Sequence, residues 1–138
     1  MIVFFALLPV FSYFHEAGHA LVCIADGNEA EISVDIINGG TTLCHGDHVS
    51  NLFAYKISGG LLAGIIGITV GTALFRWKIP FIAVTTIGVG HLINAIIETF
   101  ADSYYTHGGE WSAFMGLVEV VIFFTLLIIF DRKMVKQN

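Results

Sequence analysis

Two histidines four residues apart, His15 and His19, with an acid at Glu16, have the types and spacing to do chemistry. On a helix, positions i and i+4 project from one face, so both imidazoles can bind one metal ion. Glu16, beside the first of them, is then placed to take a proton from water activated by that metal. The bland alternative is a pair of polar residues satisfied by hydrogen bonds between helices. Against it, the motif lies inside a long apolar stretch, where ionisable groups are costly and usually serve function.

A catalytic zinc needs a third protein ligand and leaves a fourth position to water. His91, Asn94, Glu98 and Asp102 follow one another at spacings of 3, 4 and 4. That spacing lays them along one stripe of a helix, and a polar stripe on an apolar helix should face the interior of a bundle. Interhelical hydrogen bonding would explain Asn94 or His91 singly, and explains all four together less well.

The elements that must position these residues are legible from composition. Hydrophobic residues make up 56% of the 138-residue chain and charged residues 12%, about half the usual charged share of a soluble domain. So few charges cannot cover the surface of a small soluble protein, which makes a lipid bilayer the expected surroundings. A net charge of -5 with no basic patch argues against nucleic acid as a partner. Four stretches, 2–25, 57–75, 79–100 and 113–130, have the length of membrane spans. The first has no Lys or Arg in residues 1–14, so a span is expected there rather than a signal peptide. Arg76-Trp77-Lys78 forms a tight turn between the second and third, and Pro80 falls in the first turn of the third helix.

Residues 26–55 are the one sizeable polar segment. Glu31-Ile32-Ser33-Val34-Asp35-Ile36 alternates as a half-buried strand does, Asn38-Gly39-Gly40 reads as a turn, and Thr41-Thr42-Leu43-Cys44 as a returning strand. The expected fold class is an all-α membrane bundle of about four helices, one domain over 1–138, with a short β-hairpin between the first and second helices. Glycines at 59, 60, 64, 67 and 71 suit close helix packing in the second span. Placing Arg76, Lys78, Arg132, Lys133 and Lys136 on the cytoplasmic side puts both termini there and the hairpin outside.

Phe14-His15-Glu16-Ala17-Gly18-His19-Ala20-Leu21, with the hairpin and the glycine-bearing span after it, resembles the site-2 protease family of intramembrane zinc metalloproteases. Members of that family carry a later Asn-x-x-Pro-x-x-x-Leu-Asp-Gly motif whose Asp is the third zinc ligand. Asn94 and Asp102 reproduce its eight-residue separation, whereas Ile97, Ala101 and Ser103 replace its Pro, Leu and Gly. The resemblance implies zinc on His15, His19 and Asp102, Glu16 as general base, and Asn94 against an extended membrane protein or peptide substrate. Without the proline the helix can stay wound through Glu98, which makes Glu98 the rival ligand. The resemblance also implies a zinc nearer the cytosolic face, in conflict with the charge distribution. The alternative function is a non-enzymatic membrane metal-binding protein, either an inactive protease relative or a small metal carrier. Nothing in the sequence fixes an oligomeric state.

Other polar residues carry weaker signals. Cys44-His45-Gly46-Asp47-His48 reads as an exposed loop before a metal site. Cys23, one turn beyond His19, reads as a small buried packing residue, with a fourth-ligand role conceivable. Two cysteines do not suggest a disulfide framework. His107 and Glu110 fall in the loop after Asp102, and Glu119 is a lone acid early in the last span.

Overall fold

The computed structural model of the protein describes residues 2–35, 39–46, 49–101 and 108–135, with 108–113 and 130–135 described by backbone alone. The elements are α1 (Ile2–Ala25), β1 (Glu29–Asp35), β2 (Gly39–His45), α2 (Leu52–Ala73), α3 (Lys78–Phe100) and α4 (Gly108–Val135). The mostly helical architecture with one antiparallel hairpin between the first two helices is the expected one. By length and composition α1, α2 and α3 can each cross a membrane. In α4 the described apolar stretch is Phe114–Ile129.

Helix α2 starts at Leu52, earlier than the apolar pattern suggested, because Asn51 caps it. The Asn51 side-chain oxygen accepts the Ala54 N–H at 2.9 Å, satisfying a donor that the first turn would otherwise leave unpaired. Tyr55 and Lys56 therefore belong to the helix and not to the polar loop. Against α3 the α2 backbone comes so close that a Cβ at Gly67 would strike Gly88, the small-residue contact expected between helices in lipid. Helix α3 stays helical through Glu98 to Phe100, as the missing proline allows.

Strands β1 and β2 pair in register from Glu29↔His45 to Asp35↔Gly39. Glu29, Glu31, Ser33 and Asp35 face outward, while the alternate residues pack toward α1. The segment that leads into α2 is tied to the turn after α1, and the hairpin is tied to α1 itself. Ser50 donates its N–H to Asp26 Oδ2 at 2.8 Å and its hydroxyl to Oδ1 at 2.5 Å. Cys23 and Cys44 form a disulfide, which corrects the reading of Cys23 as a packing residue or possible ligand. The pairing follows from register: Cys44 stands opposite Ala30 on the inward face of the hairpin, directly over the last turns of α1.

At the opposite end the bundle is closed by Phe4, Phe11, Ile82, Ile87 and Phe123, all buried, with the Phe4 and Phe123 rings stacked at 4.7 Å.

Candidate metal centre

Helices α1 and α3 bring three of the expected residues together at the hairpin end. His15 Nε2 lies 3.2 Å from Glu98 Oε2, His19 Nε2 lies 3.2 Å from Glu98 Oε1, and the two imidazole nitrogens are 3.1 Å apart. All three side chains are buried. Donors held about 2.0–2.1 Å from one tetrahedral zinc stand about 3.3 Å from one another, which is the spacing seen here. His15, His19 and Glu98 are thus a group that could hold a metal ion.

The hydrogen-bond pattern leaves the three ligand atoms able to face a cation. His19 Nδ1 is 2.7 Å from the Tyr55 carbonyl oxygen, which can only accept, so Nδ1 carries the proton and Nε2 of the neutral ring carries a lone pair. His15 turns its own Nδ1 to Nδ1 of His91 at 3.3 Å. The carboxylate oxygens of Glu98 are acceptors as well. Lone pairs aimed at one another across about 3 Å in a buried site repel unless a cation or a proton lies between them. Imidazoles that ligate metals commonly have the other ring nitrogen fixed in this way by a carbonyl or similar partner.

Close packing shapes the pocket. A Cβ at Gly59 would collide with the His19 ring, so glycine is what lets α2 pass directly over that imidazole. The Tyr55 ring sits 5.0 Å from the His19 ring on the same side. Phe11 lies under His91, with centroids 6.1 Å apart.

Glu16 is buried beside the cluster and is held by the hairpin. Thr42 Oγ1 is 2.8 Å from Glu16 Oε2 and 2.9 Å from the Glu16 carbonyl oxygen, so its hydroxyl donates to the carboxylate or to the main chain of the same residue. Gly40, on the same inward face of β2, packs on the Glu16 side chain, and a Cβ there would overlap it. Tyr55 Oη reaches the Thr42 carbonyl oxygen at 3.5 Å.

Among the expected candidates, then, His15, Glu16, His19 and Glu98 come together, with His91 behind His15. Asn94 is buried on the stripe that carries Glu98. Asp102, His48 and His107 lie outside the described residues. His45 pairs across the exposed hairpin surface with Glu31 at 3.5 Å, away from the cluster. Glu119 is buried against Gly90, on the α4 side of α3. Sequence reasoning did not single out Thr42, Tyr55, Gly40 or Gly59 for this site. Strand alternation placed Thr42 on one face of the returning strand, Gly40 was read as part of the turn whereas β2 already includes it, and Gly59 was read only as a helix-packing glycine. Comparison with family models, curated proteins and solved structures finds no match, so the functional argument rests on this geometry.

Proposed function

We propose that the chain is an integral, multi-pass membrane zinc metalloprotease that hydrolyses peptide bonds of membrane-embedded protein or peptide substrates. The observation that carries this reading is the buried triangle of His15 Nε2, His19 Nε2 and the Glu98 carboxylate, with Glu16 beside it. Membrane integration is supported by three long apolar helices whose outward faces are themselves apolar, with Leu21, Ile24, Ile65 and Ile96 each more than half exposed. Zinc bound here supplies Lewis acidity and makes water nucleophilic near neutral pH.

The chain's own residues do the rest. His15, His19 and Glu98 hold the ion, and the Tyr55 carbonyl keeps His19 in the tautomer that ligates through Nε2. The Glu16 carboxylate takes a proton from the attacking water and returns it to the leaving amine. Thr42 fixes the rotation of that carboxylate. Strand edges of the hairpin offer hydrogen bonds to a substrate unwound into an extended form, and Asn94 is the candidate partner for its backbone. An intact Glu16 beside the ligands supports hydrolysis over metal binding alone, which needs only the ligands.

Metal content of the purified native chain and of His19→Ala tests the site, with about one zinc expected in the first and none in the second. Glu16→Gln tests the chemistry. It should keep its zinc and lose on the order of 10²–10⁴ in cleavage rate of a membrane-embedded substrate. Full cleavage by that variant overturns the proteolytic reading.

A further inference from the structure

The triangle lies close to one end of the bundle. His19 is six residues from the end of α1, about 9 Å along the helix, and Glu98 is two residues from the end of α3, about 3 Å. His15, in contrast, is thirteen residues from the start of α1, about 20 Å, and that interval is filled by Phe4, Phe11, Ile82, Ile87 and Phe123. Water and an unwound peptide therefore reach the site from the hairpin end.

Two independent features say which side of a membrane that end faces. The first is charge. Of the six Lys and Arg residues, Arg76 and Lys78 sit at the α2–α3 turn, and Arg132, Lys133 and Lys136 sit at the end of α4 or beyond it. Only Lys56 sits at the hairpin end, which also carries the acidic Asp26, Glu29, Glu31 and Asp35. Short basic segments stay in the cytosol. The second is the disulfide that joins Cys23, at the end of α1, to Cys44 of β2. Closing it removes two electrons and two protons from the thiols. Oxidised disulfide carriers of an extracytosolic space accept them and become dithiols, whereas the reduced small thiols of a cytosol return them. Helix direction makes the two features agree, because the basic turn after α2 and the cysteine pair lie at opposite ends of the bundle.

We propose that the metal centre opens to the extracytosolic, oxidising side of the membrane, so that its substrates are membrane-spanning segments cut near their extracytosolic end. The substrate class rests on the proteolytic reading; the sidedness does not.

Two reporter variants that keep the native disulfide test the sidedness. Ser33→Cys places a thiol on the exposed face of β1, and Trp77→Cys places one in the exposed basic turn without removing a positive charge. A membrane-impermeant maleimide should label Ser33→Cys in intact cells, and Trp77→Cys only after permeabilisation. The opposite pattern overturns the proposal, as do free thiols at both Cys23 and Cys44 in the native chain trapped by alkylation before lysis. The substrate class is tested with two model spans in vesicles, identical except that a helix-breaking cleavage segment lies at the extracytosolic or the cytosolic end. At least a tenfold preference for the first is expected from the zinc-loaded native chain, and a preference for the second overturns the assignment. Cleavage of neither removes the proteolytic reading and the substrate class with it, while the labelling still decides the sidedness.

Discussion

The two ends of the helical bundle are built on different rules. At the hairpin end, His15, His19, Glu98, Glu16, Thr42 and the Tyr55 carbonyl meet through directional contacts of 2.7–3.2 Å, each between named atoms. Toward the far end, Phe4, Ile82, Ile87 and Phe123 meet through shape alone, and Phe11 stands between them and His91. Dispersion contacts of that kind are individually weak, numerous and tolerant of exchange. The polar contacts are few, and each is expensive to break in a buried site. The difference implies that chemistry and stability are separable: substitutions at the hairpin end should change metal binding and rate, and those at the far end should change stability.

The sharpest way to break the comparison is to remove the carboxylate. Glu98→Gln keeps volume but offers the two imidazoles an amide in place of two anionic oxygens. Zinc affinity should fall by more than the roughly 10–100-fold typical of losing an outer hydrogen-bond partner, read by zinc retention during dialysis against a mild chelator. Asp102→Asn, run alongside, should retain the metal; loss there and retention in Glu98→Gln would transfer the ligand role to Asp102. His91→Phe comes next. It keeps a ring against Phe11 but leaves His15 Nδ1 without its nitrogen partner, and zinc affinity should fall about 10–100-fold.

A smaller effect is expected at Thr42. Thr42→Val removes the hydroxyl that holds Glu16 and nothing else of comparable size, so cleavage should slow about tenfold, the equivalent of one net hydrogen bond of about 1.4 kcal/mol. Zinc content should be unchanged, and Thr42→Ser should restore the rate. The smallest effect on the site is expected from Phe4→Ala. It opens a cavity beside Phe123 and should cost about 2–3 kcal/mol of stability, less than the roughly 3–5 of a water-soluble core because lipid is itself apolar. Its zinc affinity should match the native chain; a change there would mean that the two ends are coupled.

What the sequence disclosed follows the same division between local and distant contacts. His15 and His19 are four residues apart on one helix, so their convergence is a property of helical geometry and needs no tertiary information. The apolar spans and the strand alternation are local in the same sense, and the fold class was legible from them. The place of Glu98 in the cluster was not, because Glu98 meets His15 across 83 residues and that meeting depends on α3 staying wound through Glu98. The eight-residue interval from Asn94 to Asp102 pointed to one answer, and the absent proline at Ile97 pointed to the other. Thr42 and the Cys23–Cys44 pair were hidden for a related reason: both depend on how the hairpin docks on α1, and alternation alone does not specify that.

The His19 ring occupies the volume that any side chain at position 59 would fill, so at that point α1 meets α2 through an imidazole lying against bare backbone, beside the backbone contact at Gly18. Transplanting His-Glu-x-x-His onto another pair of helices would therefore carry over only the visible half of the site. The recipient must also present an empty position on the facing helix, one turn beyond a main-chain carbonyl that can accept from the ring. A search for portable sites of this kind would do better to look for the gap than for the histidines.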